Sequence, residues 1–549
     1  MNKQNKANNI PYPSVYPKSD GIYFKSEGEE RRITTQKMGL SYIKTDIESN
    51  IKESLLYYFD NGAKKEITMD RSEYLNPTNL IAKQNIGLDV MRDNVNSLSQ
   101  HFRNEEERAQ RINIHKTLGF GKYEDTEIYK LYKCIGIDST YEGDKEIKPK
   151  GSRETYIKMI KEDILGYPPL ELILSIGLSA VVLGYVGEEL SLDTQIVHLY
   201  GNSTTGKSTA LKLAISLFGY PDVKKSGLFS TYNATENALI KQLEGIKGDP
   251  FAFDEISMSK TKNFTDMIYK ISNGVDKARL NKNSEQVKKE PWLTTIMSNG
   301  EKSLIGSANK NAGIHVRVLE IENIVWTKNS QHSEKINSII LENYGHLGFE
   351  FATYVMNLGK NQIKNEYKKT ISKLKSLFKN KGIKDNFSDR RINKIAIIIL
   401  TMRLFENMLN IKMNKSGVLK IIVDVEKNSI KQRNFDKSFI EFFKEYISAN
   451  ASKFSNDNNI DTIRDYIGNK KKKNGYLELE ILPIKFEEIV TEGGFEDYKV
   501  VLKELKKSGY LDCDKDRYTR KRKTQSDVVI PLIVIKIPIK KVKNKNKLG

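Results

Sequence analysis

Five short apolar runs, at residues 195–200, 227–230, 250–254, 292–297 and 316–321, punctuate the middle of the chain. Each is too short for a helix and is bounded by glycine or polar residues, the pattern of a strand buried on both faces. Helical spacing precedes the first run, at about 154–165 and 168–186, so strands and helices alternate. That alternation predicts an α/β core built on a five-stranded parallel sheet. After it, residues 331–450 read as helical, with dense apolar spacing at 392–409 and 435–447 and lysine-rich breaks at 368–384. This stretch suits a helical lid and a connector.

The two ends differ from the middle. Residues 1–150 alternate apolar and polar positions in short bursts. Gly21-Ile22-Tyr23-Phe24, and Leu55 to Phe59 ahead of Asp60-Asn61-Gly62, look like strands meeting turns, whereas 90–111 is helical in spacing. We expect a mixed α+β N-terminal domain without a catalytic constellation. A linker follows at 137–153, marked by Gly143, Pro149 and Gly151. Near the other end, helices at 482–491 and 496–507 lead to a basic turn at 514–523 and a strand at 528–537, a winged-helix order. The expected division is 1–150, 151–330, 331–450, 451–540 and a basic tail, 541–549.

Between the first apolar run and the helix after it stands Gly201-Asn202-Ser203-Thr204-Thr205-Gly206-Lys207-Ser208, followed by Thr209. Strand, G-x-x-x-x-G-K-S, helix is the context of a phosphate-binding loop (P-loop). Glycines let backbone N–H groups turn toward phosphates, and the helix N-terminus adds positive dipole. Lys207 is expected on the β- and γ-phosphates and the Ser208 hydroxyl on Mg²⁺.

About fifty residues on, Asp249-Pro250-Phe251-Ala252-Phe253-Asp254-Glu255 ends a short strand in two acids. Asp254 is expected to hold Mg²⁺ and Glu255 to polarise the attacking water, which makes the reaction hydrolysis. The Asn-Lys pairs at 281, 309 and 380 lack the Asp that reads guanine, so ATP is the expected nucleotide. The run ending in Ser298-Asn299 places Asn299 where it can sense the γ-phosphate or the water. Gly313 to Ile321 reads as one more strand, with Arg317 ahead of its apolar end. An Arg there can act in trans as an arginine finger on a neighbour's ATP; a surface ion pair is the plainer alternative.

The order of these motifs resembles an AAA+ ATPase of the MCM-like type. More closely, it resembles the cassette-chromosome helicases of staphylococcal mobile elements and related phage and island helicases. Three further stretches carry the likeness: Thr231-Tyr232-Asn233-Ala234-Thr235-Glu236-Asn237-Ala238, Ser272-Asn273-Gly274-Val275-Asp276-Lys277-Ala278-Arg279, and Trp292 through Gly300-Glu301. It spans roughly residues 15–360 and fades toward the C-terminus. The resemblance implies a homohexameric ring that translocates on single-stranded or forked DNA, together with other replication proteins of the element. It also implies a channel hairpin at 277–290, where Lys277, Arg279, Lys282, Lys288 and Lys289 would grip phosphates without reading bases. A lid sensor arginine is implied too; Arg390 is the first candidate and Arg391 the second. In the wing, Arg520, Lys521 and Arg522 are the expected phosphate contacts, although winged helices also serve as protein-contact modules.

Composition narrows the partners. The 549 residues carry 90 Lys and Arg against 70 Asp and Glu, a formal net charge of +20, which fits a polyanion. AT-rich coding, which favours Lys and Asn, is another source of that excess. Two distant cysteines, Cys134 and Cys513, form no disulfide framework or zinc cluster, and no His-Glu-x-x-His pair occurs among the six histidines. The reducing cytoplasm fits, and no structural metal is expected. The start is polar without an apolar leader segment, and the longest apolar run, 170–186, contains Glu171 and is shorter than a bilayer needs, so it is expected to be a buried helix.

The sequence therefore reads as an ATP-dependent DNA helicase of a mobile element. The main alternative is an ATP-switched origin-binding initiator or helicase loader that does not itself unwind DNA. A protein remodeller would be stimulated by protein rather than DNA. A fused primase would need paired metal-binding aspartates that the N-terminal region does not show.

Overall fold

The structure is a computed structural model that describes residues 14–259, 261, 264–275, 290–308, 312–383, 388–433, 435–455, 465–495, 497–523 and 528–539. The chain divides into two compact units, Met1–Lys145 and Glu146–Gly549.

The first unit is strand-rich. Its five-stranded sheet includes Met38–Asp46, Lys52–Asp60 and Ala63–Asp70, joined by tight turns. Asn61 and Gly62 between the last two both have positive φ, which is the twist a two-residue hairpin needs. The helix Val95–Arg108 lays Val95, Leu98 and Phe102 onto the core formed with Met38, Leu56 and Tyr58. This is the mixed α+β character expected of the N-terminal region.

The second unit contains the five-stranded sheet. Its strands are Gln195–Tyr200, Phe229–Thr231, Phe251–Asp254, Thr295–Gly300 and Val318–Glu322, all parallel. In chain order they lie as second, third, fourth, first, fifth, so Gln195–Tyr200 is flanked by Thr295–Gly300 and Val318–Glu322. Four of the five strands are buried along nearly their whole length, which is why they read as continuous apolar runs, whereas Phe229–Thr231, at the sheet's edge, is buried only at Phe229. The helix Pro168–Val186 starts ahead of the apolar run at 170 and is, against the expectation, long and apolar enough to cross a membrane, but it is buried inside this unit as a core helix.

Two local expectations are corrected. Residues 313–317 do not extend the fifth strand: Ala312–Arg317 is a helix and the strand starts at Val318. The β-branched residues Ile314 and Val316 misled the pattern, because tertiary burial of both overrides strand propensity. The lysine-rich stretch 368–384 is not a break up to residue 380 either. Lys360–Asn380 is one helix whose Ile363, Tyr367, Thr370, Leu374 and Phe378 are buried at three- and four-residue spacing, with the lysines on the outer face.

The C-terminal module is larger than a helix–helix–wing pattern. The helices Pro483–Glu492 and Tyr498–Lys507 and the strand Val529–Pro538 are present, but Gly468–Lys473 and Tyr476–Ile481 join the same sheet. The helix Phe435–Ala449 also belongs to it. Phe439 and Phe443 pack with Phe486, Phe495, Leu502 and Ile535 in one core, so the module starts ahead of residue 451.

Candidate functional site

The loop at 201–208 sits at the carboxyl end of the strand Gln195–Tyr200, and the helix Lys207–Ser216 opens directly from it. Both glycines are required by the backbone. Gly201 has φ +134°, and a Cβ there would lie 2.5 Å from Asn323 Oδ1; Gly206 has φ +83°, and a Cβ would lie 2.5 Å from Thr327 Oγ1. Thr204 shares the left-handed conformation at φ 62°. The segment after the fifth strand closes the loop from outside, with Asn323 N donating to Tyr200 O at 2.9 Å and Trp326 N to Thr205 O at 2.7 Å.

Lys207 is buried and folds back on the loop, where its Nζ donates to Gly201 O at 3.0 Å and Asn202 O at 2.6 Å. Desolvation pushes its ammonium below the ordinary lysine value, and the carboxylates of Glu255 and Glu301 act in the opposite direction. Thr209 faces elsewhere: its Oγ1 bonds Ser333 Oγ at 2.6 Å and accepts from Asn337 Nδ2 at 3.0 Å, which ties the helix to Ser330–Glu342.

At the foot of the loop four expected residues meet. Ser208 Oγ donates to Asp254 Oδ1 at 3.0 Å. Asn299 Nδ2 donates to the same oxygen at 2.6 Å and approaches Ser208 Oγ at 3.1 Å, while its Oδ1 accepts from the Glu255 amide at 2.6 Å. The register explains the meeting. Phe251–Asp254 and Thr295–Gly300 are adjacent parallel strands with Phe253 opposite Ser298, so Asp254 and Asn299 emerge side by side. Glu255 turns the chain with φ 58° and ψ 82°, a conformation that L residues rarely adopt. Its carboxylate accepts from Ser257 N at 3.3 Å and Ser257 Oγ at 2.6 Å.

Arg317 is not part of this cluster. It lies one residue ahead of the Ile196–Val318 pair, at the amino edge of the sheet. Roughly 16 Å of strand separates that edge from the loop of the same chain. Arg390 lies at the same edge and, with Arg317, lines a cavity there. The second sensor candidate, Arg391, is 2% exposed and committed elsewhere. Its Nη2 pairs with Glu426 Oε1 at 2.5 Å, and its Nη1 donates to His315 O at 2.6 Å and Val318 O at 2.9 Å.

In the C-terminal module the three wing residues separate by side of the strand. Arg522 pairs with Glu480 at 3.0 Å and lies near Glu478 and Asp512, and Arg520 pairs with Asp512 at 2.7 Å. Both neutralise the module's own acids, which weighs against them as phosphate contacts. Lys521, between them, is exposed. The hairpin residues Lys277, Arg279, Lys282, Lys288 and Lys289 lie outside the described residues, as does the basic tail.

Several residues at the site were not singled out from the sequence. The Ser203 hydroxyl bonds Glu301, which sits two residues beyond Asn299 on the same strand exit. Behind Asn299 runs a buried relay: Tyr232 OH donates to Ser298 Oγ at 2.8 Å, Ser298 Oγ bonds His198 Nδ1 at 2.9 Å, and His198 Nε2 bonds Lys302 O at 2.9 Å. Burial pushes the His198 imidazole down to about 4, so it is neutral near pH 7. A histidine inside an otherwise apolar central strand was the available signal.

Comparison with known proteins agrees with this architecture. Residues 20–291 match the model of a family described as a domain of unknown function, DUF927, and residues 434–539 match that of the Cch helix-turn-helix domain. The chain is similar in fold to a solved structure described as "SCCmec type IV Cch - active helicase", with a TM-score of 0.77 and 21% identity over 96% of this chain and 97% of that one. The fold is Cch-like. A search of curated proteins gave no match. The helix-turn-helix match begins at the helix Phe435–Ala449, where the C-terminal core begins.

Proposed function

We propose that the chain is an ATP-dependent DNA helicase, an AAA+ motor of the MCM-like type that works as a hexameric ring in the replication of a mobile element. The observation that carries this reading is the hydrogen-bonded net of Ser208, Asp254, Asn299 and the Glu255 amide at the foot of the glycine loop. The strand order, with the loop strand between the fourth strand and the last, and the likeness to a Cch helicase support the motor class.

In this reading Lys207 leaves the loop carbonyls for the β- and γ-phosphates. Ser208 and Asp254 would hold Mg²⁺, which would neutralise phosphate charge. The Glu255 carboxylate takes the proton of the attacking water, and Asn299 holds the two acids in register. Arg317 and Arg390, at the far edge of the sheet, act on the nucleotide of the next copy. The C-terminal module docks on DNA, and Lys521 is its available wing cation.

The deciding experiment is displacement of a labelled strand from a forked duplex with ATP, using wild type, Lys207→Ala and Glu255→Gln. Displacement by wild type alone, with Glu255→Gln binding ATP without turnover, supports the motor. DNA-stimulated hydrolysis without displacement supports the initiator or loader instead, and wild-type turnover in Glu255→Gln removes Glu255 as the base.

A further inference from the structure

The amino edge of the five-stranded sheet holds a cavity of about 390 Å³, with Asp193, Gln195, Arg317, Arg390, Asn393 and Lys394 in its lining. Two side chains there have buried polar atoms without hydrogen-bond partners among the described residues, and a third is held by neutral carbonyls alone. Gln195 is 1% exposed, and among the described residues neither its Oε1 nor its Nε2 has a hydrogen-bond partner. Arg317 Nε is buried without a partner, although Nη1 donates to Gly313 O at 3.0 Å and the guanidinium lies 4.2 Å from the centre of the Tyr269 ring. Lys394 Nζ donates to two neutral carbonyls, Arg317 O at 2.8 Å and Thr194 O at 3.4 Å.

The cavity is cationic. Asp193 is the acidic residue in its lining, against Arg317, Arg390 and Lys394. The neighbouring Arg391 is already neutralised by Glu426. Burial and the nearby arginines push the Lys394 ammonium down to about 7, with Asp193 acting in the opposite direction. A buried amide and a guanidinium edge left unpaired lose hydrogen-bond energy unless a ligand supplies acceptors to their N–H groups and a hydroxyl donor to Gln195 Oε1, as a protonated phosphate does. An amide, an ammonium and two guanidinium groups line this one cavity, and together they offer the several N–H donors that an oxyanion accepts from.

We propose that this cavity is a receptor for a phosphate group, with Gln195 and Lys394 as its inner wall and Arg317 and Arg390 at its rim. The phosphate is either free inorganic phosphate or the terminal group of a nucleotide held by a second copy of this chain. The second source rests on the ring reading above; the first does not.

The test uses the full chain carrying Lys207→Ala, so that its own loop does not report. Inorganic phosphate is titrated into it calorimetrically, and again after adding Lys394→Met or Gln195→Leu, with thermal melts to show that each variant is folded. Saturable binding that weakens at least tenfold in a folded variant establishes the receptor for free phosphate. For the other source, the Lys207→Ala chain is mixed with an Arg317→Ala chain and ATP. Turnover that appears in the mixture, and is lost when Lys394→Met or Gln195→Leu is added to the Lys207→Ala partner, assigns the site to a neighbour's nucleotide. Phosphate binding indifferent to both substitutions, together with mixed turnover indifferent to both, overturns the proposal. Strand displacement by wild type is unaffected by that failure, so the receptor and the helicase reading fall separately.

Discussion

Asn299 donates through Nδ2 to Asp254 Oδ1 at 2.6 Å, across two adjacent parallel strands. Asn299 is 2% exposed, so the contact is shielded from water. Removing it leaves Asp254 held by Ser208 alone and frees the Glu255 turn, which the same side chain holds through its Oδ1. Asn299→Ala is expected to lower ATP turnover by about 10²-fold, the scale of losing one preorganised hydrogen-bonding group. ATP binding, measured by calorimetry, should stay near wild type, because Lys207 and the glycine loop are untouched.

Arg317 and Lys207 lie at opposite edges of one sheet, so they serve different copies in the proposed ring. Lys207→Ala and Arg317→Ala should each abolish turnover alone, the latter by about 10³-fold or more if Arg317 is a finger. An equimolar mixture should recover part of the activity, because one variant offers an intact loop and the other an intact Arg317. A mixture as inactive as its components places Arg317 outside the reaction.

His198 makes stability depend on pH. Its folded-state value, about 4, is below the ordinary histidine value of 6.5, so the unfolded chain binds more protons between the two. Stability from this group is present above about pH 6.5 and is lost as pH falls toward 4. The size is on the order of 3 kcal/mol for a shift of this magnitude. Urea unfolding at pH 7 and pH 4.5 should show a smaller pH effect in His198→Asn than in wild type.

Lys521 and Arg522 are neighbours with different tasks. Lys521→Ala should leave the melting temperature unchanged and reduce the slope of log DNA affinity against log salt by about 1. Arg522→Ala should destabilise the module by about 1–3 kcal/mol, because Glu478 and Glu480, both buried, lose a charge partner. Equal loss of DNA affinity without loss of stability in Arg522→Ala would assign it to the phosphates after all.

Much of the site was legible from local pattern. A glycine loop between strand and helix has few alternatives, since Gly201 and Gly206 both need positive φ and close backbone approach. Asp254 and Asn299 were legible because each ends an apolar run. Less legible was anything set by which side of an element faces which neighbour. The helix Ala312–Arg317 read as strand because its apolar residues are β-branched. Arg390 and Arg391 were not separable by spacing, yet one lines a cavity and the other is buried on Glu426. Arg520 and Arg522 read as wing cations because sequence does not show the acids of the paired strands.

Sequence alone was enough for the α/β alternation, the five strands, the glycine loop between strand and helix and the acidic pair at a strand's end, all of which depend on backbone requirements or periodicity within a few residues. Tertiary structure alone decided that Asn299 bridges Asp254 and Glu255, that Arg317 sits at the far edge from Lys207, and that Gln195 and Lys394 share a cavity with it. Those relationships join residues tens to hundreds of positions apart. They depend on strand order and register, which long-range packing selects and local propensity does not encode.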